Sequence, residues 1–191
     1  MRERVVVGIT GASGQVYGLK VLQLLKEVGA ETHLVVSRAA ELTMRAEGVE
    51  LKEVKKLASK VYGEEEIGAS ISSGSFFHSG MIIAPCSMKT ASSIAYGITD
   101  NLIARAADVT LKERRKLVLL VRETPLHTGH LRTLLTLSEI GAIVMPPVPA
   151  FYTKPRDLED VVRHTALRAI AMLEGKTGER AREMLKEWGG L

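Results

Sequence analysis

Arg122 and Glu123 stand directly after five consecutive apolar residues, Leu117 to Val121. A cation beside a carboxyl group at the end of a buried strand can hold an anion and pass a proton next to it. A solvated charge pair at a strand end fits the same residues. Gly11-Ala12-Ser13-Gly14 is a small-residue turn opening a helix, where free N–H groups and the helix dipole favour a phosphate. It lacks the Gly-x-Gly-x-x-Gly spacing and no Walker lysine follows, so a plain tight βα connection competes with that reading. Ser87-Met88-Lys89-Thr90 is a second hydroxyl-rich helix start. Arg105, Lys112, Arg122 and Arg168 are candidate phosphate ligands, because arginine grips phosphate with a two-pronged fork and lysine adds a point charge. Arg168 also reads as a solvent-facing helix residue. Tyr152, a candidate phenol donor to the same phosphate, also reads as a surface aromatic after a proline turn.

Two other chemistries find less support. His127-x-x-His130 has a metal-like spacing, but no Cys or acidic cluster completes a site, and no metal is expected. Cys86 follows a proline at a strand end without an evident His partner, and reads as a buried structural thiol rather than a nucleophile.

These residues need elements to position them. Apolar strand-like runs alternate with helical patterns, which predicts an α/β fold with a parallel sheet. Strands are expected at Val5–Ile9, Thr32–Val36, Met81–Ala84 (stopped by Pro85), Leu117–Val121 and Ala142–Met145. Helices are expected from Gln15 to Val28, from Ser37 to about Leu57, from Ser87 to Ala95, over Asn101–Val109, over Gly129–Ile140, from Asp157 to Leu173, and over Thr177–Trp188. A Gly/Ser-rich loop is expected around Ser72–Gly74, and the sequence has no internal repeat. Each strand is followed by residues able to do chemistry: the glycine turn, Ser37, the Pro-Cys-Ser-Met-Lys-Thr run, Arg-Glu-Thr-Pro, and a proline turn ending in Phe151-Tyr152. In a parallel sheet those endings share one edge, where ligands of open α/β sheets bind.

Composition bounds the rest. A chain of 191 residues with 46% hydrophobic and 25% charged content suits one domain over 1–191. No apolar run is long enough for a membrane span, the N-terminus has no signal-peptide pattern, and a single cysteine fits a cytoplasmic setting. The net charge of +4 permits an anionic ligand. Nucleic acid is disfavoured, because the basic residues are dispersed apart from Lys112, Arg114, Arg115 and Lys116, and aromatics are only 4%.

Gly-Ala-Ser-Gly, Ala-Pro-Cys-Ser-Met-Lys-Thr, Arg-Ala-Ala-Asp-Val-x-Leu-Lys-Glu-Arg-Arg, Arg-Glu-Thr-Pro-Leu and Pro-Ala-Phe-Tyr, in that order from Val5 to about Leu173, resemble the UbiX-type flavin prenyltransferases. The resemblance implies a single-domain Rossmann-like or flavodoxin-like sheet with helices on both faces, assembled as a homododecamer with FMN at subunit interfaces. It implies transfer of a dimethylallyl group from dimethylallyl monophosphate to N5 and C6 of reduced FMN, with release of phosphate. The prenylated FMN then serves a UbiD-type decarboxylase, and a flavin reductase supplies electrons. Carried over by position, Gly11, Ala12, Ser13, Ser37, Ser87, Met88, Lys89, Thr90 and Arg122 would hold FMN. Glu123 would manage protons, with Ser13 and Glu47 beside the chemistry. Arg105, Lys112, Tyr152, Arg168 and Trp188 would bind the prenyl phosphate or cover it. Gln15 departs from the small or apolar residue usual after the glycine turn, and is expected to alter packing more than function. The absence of an Asp-Asp-x-x-Asp motif agrees with a leaving phosphate met by Arg, Lys and Tyr rather than by metal. A flavin-dependent cysteine decarboxylase of the same fold and a non-catalytic flavin carrier are the alternatives.

Overall fold

The structure is a computed structural model describing residues 2–185. Six strands form one all-parallel sheet in the order β3-β2-β1-β4-β5-β6. They are β1 (Arg4–Ile9), β2 (Glu31–Val36), β3 (Lys60–Tyr62), β4 (Gly80–Cys86), β5 (Lys116–Val121) and β6 (Ile143–Val144). The helices are α1 (Gln15–Glu27), α2 (Arg38–Glu47), α3 (Leu51–Leu57), α4 (Met88–Ala95), α5 (Leu102–Lys112), α6 (Thr128–Glu139), α7 (Leu158–Ala171) and α8 (Gly175–Glu183).

The period-two side-chain alternation of the strands explains the two-sided core. Val5, Val7, Ile9, Leu34, Ile82, Val118 and Leu120 face one way, against α1, α7 and α8 and the buried Met44 and Val54 of α2 and α3. Val6, Val35, Met81, Ile83, Leu117, Leu119 and Val121 face the other way, against α4, α5 and Leu137 of α6. This is the doubly covered α/β sheet that the alternating pattern predicts.

Four local expectations are corrected. The helical stretch after Ser37 is two helices, because Gly48 (φ 70°) closes α2 in the left-handed conformation. The third predicted strand does not stop at Pro85: β4 runs on to Cys86, with an irregularity in its pairing to β5 between Ile83 and Cys86. Pro85 lacks a donor, but its carbonyl accepts from the backbone N–H of Thr10 at 3.2 Å. The strand β3 was not anticipated, since two of its three residues are exposed at the sheet edge. The last helix begins at Gly175 and ends at Glu183, with Met184 as its C-cap.

His78, just before β4, donates from Nδ1 to the Gly80 carbonyl at 3.1 Å, and burial pushes its pKa down to about 4. A histidine kept neutral by the fold leaves stability intact above its unfolded pKa near 6.5 and removes it as pH falls toward 4. The loss is about 2–3 kcal/mol. Urea midpoints at about pH 7.5 and about pH 4.5 should therefore fall further in the wild type than in His78→Gln. Equal losses in both proteins would remove His78 as the source.

Candidate functional site

Hydrogen bonds tie four strand ends into one row along the carboxyl edge of the sheet. The Ser37 N–H donates to Ile9 O at 3.0 Å, and the Arg122 N–H to Cys86 O at 3.1 Å. Between them, Thr10 Oγ1 donates to Pro85 O at 2.8 Å and accepts from the Ser87 N–H at 2.8 Å. The glycine turn, Ser37, Ser87 and Arg122 thus share an edge, as the strand order requires. Thr10 was not singled out from the sequence. A threonine ahead of a glycine turn carries no motif, and only the fold shows that its hydroxyl is buried and doubly bonded.

The turn after β1 depends on its glycines. Gly14 caps α1 at φ 96°, and a Cβ on Gly11 would lie 2.5 Å from Ala39 Cβ, so a larger residue would push the turn off the start of α2. Ala12 is buried and Ser13 exposed. Glu47, the last residue of α2, reaches back to this turn. Its carboxylate accepts from the Gly14 N–H (2.9 and 3.1 Å) and the Gln15 N–H (2.7 Å). The anion position at the start of α1 is therefore filled by the chain's own carboxylate, which the helix dipole favours. In the structure Glu47 thus holds the turn through the Gly14 and Gln15 amides. Gln15 is fully buried and bonded to the turn's carbonyls, more than the packing change expected of it.

Two helix starts remain. Ser37 Oγ accepts from the Ala40 N–H at 3.1 Å and caps α2. Ser87 Oγ accepts from the Thr90 N–H at 3.3 Å and donates to Thr90 Oγ1 at 3.1 Å, capping α4. Lys89 is exposed beside them, whereas the Met88 side chain is buried in the core, which leaves only its backbone for a ligand. Serine and threonine hydroxyls, backbone amides and one lysine on a single edge are a donor set suited to a phosphorylated cofactor.

Arg122 and Glu123 are both exposed at the end of β5. Glu123 Oε1 accepts from the Thr124 N–H at 3.1 Å, and among the described residues Arg122 makes no ion pair. The His127-x-x-His130 spacing serves a helix start. His127 Nδ1 accepts from the Gly129 and His130 N–H groups at 3.0 and 3.3 Å, and the two rings stack 3.6 Å apart. Cys86 is fully buried, and burial pushes its thiol up to about 12. It should resist alkylation by iodoacetamide in the native protein at about pH 8 and react only on unfolding. Rapid native labelling would contradict this burial.

The cations divide between the two faces of the sheet. Arg105 and Lys112 lie on α5, where Arg105 pairs with Asp108 at 2.9 Å and Lys112 with Glu113. Lys112, the last residue of α5, sits toward the amino edge of the sheet, beside Gly74 and two residues after Thr110, whose hydroxyl lies near Met81. Arg168 is exposed on α7, across the sheet from α5. Tyr152 joins it there: the Tyr152 and His164 rings meet edge to face at 6.0 Å, and Arg168 follows His164 one turn along the helix. Burial lowers the His164 pKa, and the Arg168 charge lowers it further. Tyr152 and Arg168 are thus brought together, and Arg105 and Lys112 are not brought to them within one chain. Trp188 lies outside the described residues.

The Flavoprotein family matches residues 1–168. The chain is 56% identical over 171 residues to flavin prenyltransferase UbiX of Archaeoglobus fulgidus, covering 89% of this chain and 94% of that protein. Among solved structures, AnUbiX (PadA1) in complex with FMN and dimethylallyl pyrophosphate is similar at a TM-score of 0.93 and 44% identity, with both chains covered in full. A dodecameric FMN-dependent Ubix-like decarboxylase from Escherichia coli O157:H7 has a TM-score of 0.89 and 43% identity, covering 98% of this chain and 100% of the other.

Proposed function

The chain belongs to the UbiX-type flavin prenyltransferases of the Flavoprotein family, and from that premise we propose how its residues divide the work. In this reading the enzyme joins the dimethylallyl group of dimethylallyl monophosphate to N5 and C6 of reduced FMN and releases phosphate; the relative's flavin prenyltransferase name and a structural neighbour that holds FMN with dimethylallyl pyrophosphate support it. The observation that carries this reading is the bonded row of strand ends, which presents Ser37, Ser87, Thr90, Arg122 and Glu123 together on one edge. The alternatives of a cysteine decarboxylase and a flavin carrier explain less. Neither has a use for a second set of phosphate-binding cations.

Gly11, Ala12, Ser13, Ser37, Ser87, Met88, Lys89 and Thr90 would hold FMN, the serines and threonine through hydroxyls and Met88 through its backbone. Reduced FMN, when bound, supplies the nucleophilic positions. Arg122 would hold the flavin or its ligand, and Glu123, one residue further, would take or give a proton beside it. Arg105, Lys112, Tyr152 and Arg168 neutralise the leaving phosphate, since arginine, lysine and a phenol can stabilise the charge that develops there. Because α5 and α7 lie on opposite faces of the sheet, these residues meet only if one copy lends Lys112 and Arg105 to the Tyr152–Arg168 patch of another. A homododecamer with sites between copies satisfies that need. Exposed Leu131 and Leu135, one turn apart on α6, suit burial in such an assembly.

The protein works in the cytoplasm, receives electrons through a flavin reductase, and hands prenylated FMN to a UbiD-type decarboxylase. Among the described residues no helix is long and apolar enough to cross a membrane. Phosphate release from dimethylallyl monophosphate under anaerobic conditions should require reduced FMN. Equal release with oxidised FMN or without flavin would indicate a phosphatase instead.

A further inference from the structure

Gln15 is the first residue of α1 and is fully buried. Its Nε2 donates to Thr10 O at 2.8 Å and to Ala12 O at 2.7 Å, so one side-chain amide holds both shoulders of Gly11. Thr10 is itself buried, and its hydroxyl bridges Pro85 O and the Ser87 N–H at 2.8 Å each. From the other side, Glu47 bonds the Gly14 and Gln15 amides. The Gly11–Gly14 turn and the Pro85–Ser87 turn are thereby joined through Gln15 and Thr10 into one unit.

The cost of this arrangement is visible. Gln15 Oε1 is buried and has no hydrogen-bond partner among the described residues. A buried acceptor left unpaired is destabilising. An apolar residue of the same length would avoid that penalty, so packing alone does not account for an amide here. Its two N–H bonds to the turn account for it.

We propose that Gln15 is a positioning residue of the flavin site, fixing the Gly11–Ser13 turn in register with the Pro85–Ser87 turn so that both meet one FMN molecule. The proposal rests on the flavin reading above. It assigns Gln15 no contact with the reacting atoms; it acts through the carbonyls of Thr10 and Ala12. Loosening that register should weaken FMN and change the surroundings of its ring. The prenyl-phosphate cations, which lie on other elements, should be unaffected.

The test compares wild type with Gln15→Met, which keeps the length and removes the donor. FMN affinity is measured by fluorescence quenching, the bound-flavin absorption spectrum is recorded, and KM for dimethylallyl monophosphate is determined at saturating reduced FMN. The expected result is FMN binding weakened about tenfold, a shifted flavin spectrum and an unchanged KM for the prenyl donor. Unchanged FMN affinity with an unchanged spectrum would overturn the proposal, as would a KM for the prenyl donor that rises as much as the FMN dissociation constant. If Gln15→Met does not fold, Gln15→Ala, a small residue with high helix propensity, is measured in the same way and decides by the same criteria. Wild type that binds FMN without making prenylated flavin would defeat the reaction assignment while leaving the Gln15 comparison valid. Wild type that binds no FMN would defeat both.

Discussion

Replacing Glu123 by glutamine is expected to leave FMN bound and to slow turnover by about a hundredfold or more, the usual scale for loss of a positioned proton donor or acceptor. The substitution keeps size and hydrogen-bonding capacity and removes only the ability to exchange a proton. In the structure, Glu123 Oε1 accepts from the Thr124 N–H, an interaction the glutamine oxygen can also make, so the loop should keep its shape. The lost step is ring closure, where a proton must leave the flavin. A partly modified flavin should therefore accumulate in the variant, visible as a slow phase in single turnover. If Glu123→Gln turns over at the wild-type rate, Glu123 plays no part in the proton transfer, and Arg122 is then a lone cation at the end of β5.

The second large effect concerns assembly. Lys112→Ala and Arg168→Ala should each be nearly inactive, because each removes a cation facing the leaving phosphate. Yet they lie on opposite faces of the sheet, so the proposed site draws its complete set from two copies. Coexpressing the two variants in equal amounts should therefore restore activity, since about a quarter of the sites in a randomly mixed oligomer receive an intact residue from both contributors. Restoration to about a quarter of wild type is the expected result. Mixed oligomers as inactive as their parents would mean that the two residues serve one site from one chain, or different sites altogether.

Much of this was legible from the residues. The β1, β2, β4 and β5 runs are apolar on both faces, so a doubly covered parallel sheet follows, and the residues after each strand fall on its carboxyl edge. The serine caps at Ser37 and Ser87 were readable because a cap is a local event that ends within three residues. What was not legible depends on distant partners. Glu47 meets Gln15 across 32 positions and Thr10 meets Ser87 across 77, and no periodicity signals either contact. The separation of Lys112 from Arg168 escaped notice because adjacency to the same motif set says nothing about which side of the sheet a helix packs on. β3 escaped because a short, exposed edge strand has too few buried positions to display alternation.

The most direct test of the central claim is the mass of the flavin recovered after anaerobic incubation of the purified protein with reduced FMN and dimethylallyl monophosphate. The predicted result is FMN heavier by one dimethylallyl unit, formed in step with an equal amount of free phosphate. Recovery of unmodified FMN, from protein that demonstrably binds it, would contradict the assignment of this chain as a flavin prenyltransferase.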